Sequence, residues 1–85
     1  MTVRLVYFAW VREKLGRAHE SVALPGDVKT VSDIIAWQAG RGEEYEVVFS
    51  QRGVVRVAVD QLHADANVDV RNAREIAFFP PVTGG

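Results

Sequence analysis

The residues whose types and spacing most clearly serve chemistry are the last eight, Phe78-Phe79-Pro80-Pro81-Val82-Thr83-Gly84-Gly85. The two prolines offer no backbone donor and hold φ close to the polyproline value. The chain must therefore leave any sheet at Phe79 and run extended. Val82 and Thr83 are β-branched and prefer the same extended state. Gly84 and Gly85 remove every side chain from the final stretch, so the backbone can enter a channel too narrow for a Cβ. Six residues beyond a strand reach about 20 Å. Such a tail is built to deliver its α-carboxylate, that of Gly85, into another protein's site. With a reference pKa of about 3.5, that group is an anion and a poor electrophile at neutral pH, so it must be activated. The usual route is an acyl-adenylate made with ATP. Two fates then differ in class. Attack by an amine gives an amide and turns the domain into a tag on another protein. Attack by a sulfur donor gives a terminal thiocarboxylate, an anionic sulfur nucleophile, and turns the domain into a carrier.

The body that holds this tail is small. Eighty-five residues make one domain, with 48% apolar and 25% charged residues, the balance of an ordinary globular chain. Ten basic residues stand against eleven acidic ones, which argues against a nucleic-acid reader living on phosphate contacts. The absence of cysteine removes disulfides, thiolate metal sites and any cysteine nucleophile. No apolar run reaches the roughly 18–20 residues of a membrane span. Arg4 and Arg12 interrupt the N-terminal apolar stretch, which lacks a secretory layout. The expectation is a cytoplasmic domain that is not an enzyme on its own.

Val3 to Trp10 reads as a strand, with Val3, Leu5 and Tyr7 on one face and Arg4, Val6, Phe8 and Trp10 on the other. Arg4 marks the second face as the outer one. A charged loop broken at Gly16 leads to a second short run, Glu20 to Leu24, so the two runs form a loosely connected hairpin. Thr30 followed by Asp33 opens a helix with Val31, Ile34, Ile35 and Gln38 on one stripe, stopped by Gly40 and Gly42. Glu43 to Phe49 fits either a helical turn or a strand. Ser50 to Gly53 is a turn signal and Val54 to Val59 a strand. Asp60-Gln61 is the next turn, Leu62 to Ala64 a short segment, and Glu75 to Phe79 the last strand. Strands on both sides of one helix predict an α+β fold: a β-grasp (ubiquitin-like) roll, its mixed sheet packed on one main helix. Residues 1–79 form the domain and residues 80–85 an extended C-terminal Gly-Gly tail.

Phe8 and Phe79 fall on the parity opposite to Leu5, Tyr7 and Phe78. If the first and last strands are neighbours, both rings share the exposed face and form a partner interface. His63 joins that face if the short fourth segment lies beside it. His19 and His63 lack metal spacing, so no metal site is expected. Glu43, Glu44 and Glu46 solvate a surface, and the glycines serve turns rather than a phosphate cradle.

Taken together, the chain resembles the small, sulfur-carrier subunit of molybdopterin synthase (MoaD type). The resemblance rests on Tyr7-Phe8-Ala9-x-Val11-Arg12-Glu13, Thr30-Val31, Ala58-Val59-Asp60-Gln61 and Ile76-Ala77-Phe78-Phe79-Pro80-Pro81-Val82-Thr83-Gly84-Gly85. Asp60 stands where the family often has Asn, and Ala73-Arg74 where it has Gly-Asp, so Asn72 is expected to supply a left-handed turn residue instead. The resemblance implies that an E1-like adenylating enzyme forms Gly85-AMP and that a sulfurtransferase converts it to the thiocarboxylate. Pro80, Pro81, Val82, Thr83 and Gly84 would thread into a large catalytic subunit, in a heterotetramer of two small and two large chains. There the sulfur attacks cyclic pyranopterin monophosphate (precursor Z) to build the dithiolene of molybdopterin. It implies no bound cofactor: ATP is used by the activating partner, and the sulfur is carried covalently. Two alternatives share the tail chemistry, namely a sulfur carrier for thiamine or tRNA thiolation, and a ubiquitin-like protein modifier.

Overall fold

The computed structural model describes residues 2–50 and 55–81. In chain order it holds β1 (Val3–Tyr7), α1 (Ala9–Leu15), β2 (His19–Val22), α2 (Val31–Ala39), α3 (Glu43–Phe49), β3 (Arg56–Val59), β4 (Leu62–Ala64) and β5 (Glu75–Phe79). The five strands make one sheet in the order β2-β1-β5-β3-β4. β1 and β5 run parallel, and every other pair is antiparallel. This is the β-grasp arrangement, and it puts β5 in the centre.

Strand alternation sorts the sheet into two faces. Val3, Leu5 and Tyr7 of β1, Val57 of β3, and Ile76 and Phe78 of β5 are buried beneath it. They meet Val31 and Ile34 of α2, Tyr45, Val48 and Phe49 of α3, and Val11 and Leu15 of α1 in one cluster. Phe78 is the pivot: its ring stacks on Tyr7 at 5.7 Å and meets Phe49 edge-on at 5.1 Å. The expected capping box closes the start of α2, with the Thr30 side chain accepting from the Asp33 N–H and the Asp33 carboxylate accepting from the Thr30 N–H.

The structure corrects some of these expectations and decides the one left open at Glu43–Phe49. The first strand ends at Tyr7, and the segment read as its end and a charged loop is helix α1, with Trp10 half-buried against the core. Glu43–Phe49 is a helix, so two seven-residue helices flank the nine-residue α2. Gly16, at φ 72°, closes α1 by donating its N–H to the Arg12 carbonyl. Asn72 is not left-handed; the loop before β5 is held instead by Asp69 accepting from the Arg71 N–H and by Ala73 donating to the Val70 carbonyl. The turn expected at Ser50–Gly53 begins with Ser50 capping α3, and residues 51–54 lie outside the described residues.

Candidate functional site

The tail leaves from the centre of the sheet. β5 is bonded on one side to β1 (Tyr7↔Phe78) and on the other to β3 (Arg56↔Phe79), so its last residues are held from both flanks. The ladder extends one step further, because the Phe8 N–H donates to the Phe78 carbonyl at 3.1 Å. Pro80 and Pro81 follow, half-buried and outside any strand, as their missing donors require. Val82, Thr83, Gly84 and Gly85, the remaining tail residues named from the sequence, lie outside the described residues.

Around this root the outer face carries apolar side chains beside the Arg56 cation. The register aligns a cross-strand row, His19–Val6–Ala77–Ala58–His63, from one sheet edge to the other. Its centre is made of small side chains and forms a shallow floor. Phe79 stands above that floor on β5, and Phe8 lies one residue beyond the Tyr7↔Phe78 pair, 48% exposed. His63, on the exposed edge strand, meets the Phe79 ring edge-on with centroids 6.3 Å apart. The three residues expected to form an interface therefore share one face at the tail root. Sequence reasoning put Val6 on this face but missed Arg56, directly opposite Phe79, and Ala58 and Ala77, which complete the floor. Parity with Phe79 and His63 was the signal that could have found them.

Two further devices fix this geometry. Asp60 and Gln61, at φ 49° and 72°, make the left-handed turn between β3 and β4. The Asp60 carboxylate accepts from the backbone N–H groups of Arg74 and Glu75 at 2.9 and 3.0 Å, anchoring that turn to the start of β5. On the inner side, Glu20 of β2 accepts from the Tyr7 and Tyr45 hydroxyls at 2.6 and 3.0 Å and from both terminal nitrogens of Arg41 at 2.9 and 2.8 Å. Arg41 also lies over the Trp37 and Tyr45 rings. Buried Gln38 completes the network by donating to the Tyr7 hydroxyl and accepting from Arg41. The Arg41 hydrogen bonds hold the Glu20 carboxyl down to about 2, against the desolvation that opposes ionisation. Burial, with Glu20 beside it, pushes the Tyr7 hydroxyl far up.

Among the described residues no group of three or more His, Cys, Asp or Glu is placed to hold a metal ion. Nor is any helix among them long and apolar enough to cross a membrane.

Comparison with known proteins places this architecture. The chain is 32% identical over 83 residues to the molybdopterin synthase sulfur carrier subunit of Haemophilus influenzae, covering 98% of this chain and 99% of that one. The protein of the same name in Escherichia coli is 31% identical over the same shares. Among solved structures, SAMP1 of Haloferax volcanii superposes with a TM-score of 0.75 at 26% identity, each chain covered in full. The ThiS family model matches residues 5–85. A β-grasp sheet with its last strand in the centre and an end-to-end match to that family lead to one conclusion: this chain is a member of the ThiS family.

Proposed function

We propose that this chain is the sulfur-carrier subunit of a molybdopterin synthase. The observation that carries the reading is the end-to-end likeness to two sulfur carriers of that enzyme. The apolar side chains around the root of the tail support it, because a carrier needs a docking surface beside the group it delivers.

In this reading the Gly85 carboxylate attacks the α-phosphorus of ATP on an E1-like enzyme, releasing pyrophosphate and forming the acyl-adenylate. A sulfur nucleophile delivered by a sulfurtransferase then displaces AMP and leaves the thiocarboxylate. The chain supplies the scaffold for these steps. Strand β5 fixes the tail's origin, Pro80 and Pro81 stiffen its exit, and Val82, Thr83 and Gly84 thread the partner's channel. Phe8, His63 and Phe79 dock the large catalytic subunit, two small chains flanking two large ones. Acid, base and phosphate-binding groups come from the partners, and no cofactor is held by this chain. In the large subunit the thiocarboxylate sulfur attacks cyclic pyranopterin monophosphate, water cleaves the acyl C–S bond of the resulting thioester to return the Gly85 carboxylate, and two such transfers supply the two sulfurs of the dithiolene.

The test is the intact mass of the chain purified from cells, with its C-terminal peptide sequenced, followed by mixing with the large subunit and the pyranopterin. Replacement of one Gly85 oxygen by sulfur, and conversion of the pyranopterin to a dithiolene, is the expected result. A second reading is favoured by the likeness to SAMP1, a small archaeal modifier protein. It would be established by a plain carboxylate accompanied by species joined through Gly85 to lysines of other proteins.

A further inference from the structure

Both histidines of the chain stand on the outer face and close the two ends of the same cross-strand row. Their settings differ. His19 lies on the β2 edge, paired with Val6. His63 lies on the β4 edge with its ring against Phe79, so a partner that covers the tail root must cover its imidazole as well. Among the described residues its charged neighbours are few. From β3, Arg56 stands on the same face, two residues from Ala58, the cross-strand partner of His63. From β4's own end comes Asp65, which with Arg56 and His63 lines a groove of about 210 Å³. Helix α2 contributes only Val31 and Ile35 to that groove. On β5, Glu75 sits at the far end, opposite Arg4, and the Asp60 carboxylate is taken up by the Arg74 and Glu75 amides.

We propose that His63 couples docking on this face to protons: the large subunit binds the chain with this imidazole neutral, and protonation releases it. The proposal rests on reading the outer face as the docking surface. Imidazole is the side chain whose charge ordinarily changes between about pH 5 and 8. Covering it with partner surface removes water and disfavours the cation. Arg56, a permanent cation on the same face, repels an imidazolium there, while Asp65 in the same groove attracts it, so the two charges offset and desolvation decides the sign. The neutral ring, by contrast, continues the apolar surface of Phe79 and Ala58. The docked state therefore holds fewer protons than the free one. Affinity is complete near neutrality and is lost as pH falls through the range in which an imidazole ordinarily takes up a proton, by up to tenfold for each pH unit.

The test is calorimetric titration of the whole chain into the large subunit from about pH 7.5 to about pH 5.5, in two buffers of different ionisation enthalpy. Wild type, His63→Leu and His19→Gln are compared, with near-ultraviolet circular dichroism confirming the fold at each pH. The wild-type chain is expected to lose about tenfold or more in affinity across that range and to release protons on docking. His63→Leu should lose this slope whatever its absolute affinity, and His19→Gln should keep it. Parallel slopes for wild type and His63→Leu would overturn the proposal. So would wild-type affinity that rises in acid, which would place a partner carboxylate on the imidazolium. Binding with a flat wild-type profile sinks this inference alone. No wild-type binding at any pH removes the docking face and the inference together.

Discussion

Glu20 illustrates how one side chain stabilises the scaffold without touching the outer face of the sheet. Its carboxylate gathers two tyrosine hydroxyls and the Arg41 guanidinium, tying β2 to β1, to α3 and to the loop that joins α2 and α3. Its folded pKa, about 2, lies below the ordinary carboxylate range. The sign follows directly: the stabilisation is fully present above that range and fades as pH falls from about 4.5 toward 2. Glu20→Gln keeps one acceptor oxygen but loses the charge, and should cost about 1–3 kcal/mol at neutral pH. Denaturant unfolding across pH checks this, because the wild-type and variant stabilities should converge in acid. Parallel curves would show that the ion pair contributes nothing. The network was not legible in the sequence. Its members lie 13, 21 and 25 residues from Glu20, and no local spacing signals that a tertiary fold will bring them together. Phe8 and Phe79 were legible for the opposite reason, since strand parity alone assigns their face.

At the scale of elements, the same contrast appears in the two helices that flank α2. Helix α2 announces itself through Thr30, Asp33 and an apolar stripe, all of them local. Helix α1 does not. Its N-cap is Phe8, which offers no side-chain acceptor, and its first residue, Ala9, sits at φ 53°, where alanine costs about 1 kcal/mol. The chain accepts that strain because the Phe8 N–H is bonded to Phe78 and the Phe8 carbonyl takes the Val11 N–H, so a strand passes into a helix with no linker. An apolar run that crosses such a junction reads as continued strand. Gly16 was the one local sign of a helix end. Gly16→Ala meets no steric neighbour but must adopt the left-handed cap, and should destabilise by about 1 kcal/mol. Thermal melting measures it; an unchanged midpoint would mean that α1 ends elsewhere in solution. Helix α3 stayed ambiguous in sequence because Val47-Val48-Phe49 suits both periods. Packing of Tyr45, Val48 and Phe49 into the core decides for helix.

For the molecule as a whole, one face of the sheet packs the core, and the proposed function gives docking to the other. Phe79→Arg should therefore lower affinity for the large subunit at least tenfold, about 1.4 kcal/mol, with little change in melting temperature. Loss of the folded state in that variant would show that the ring belongs to the core. The division also explains why the fold class was readable from the order of strands and helix, while the addition of Ala58 and Ala77 to the outer floor beside Val6 needed the register. The tail, for its part, continues a strand bonded along both edges, parallel to β1 and antiparallel to β3. A pull on that tail, as when a carrier is drawn out of a tight channel, acts along the axis of β5. Both ladders then bear the load together in shear, and neither can be peeled open one bond at a time. The two-sided anchorage of β5 thus resists force along the axis of the strand that leads to the tail.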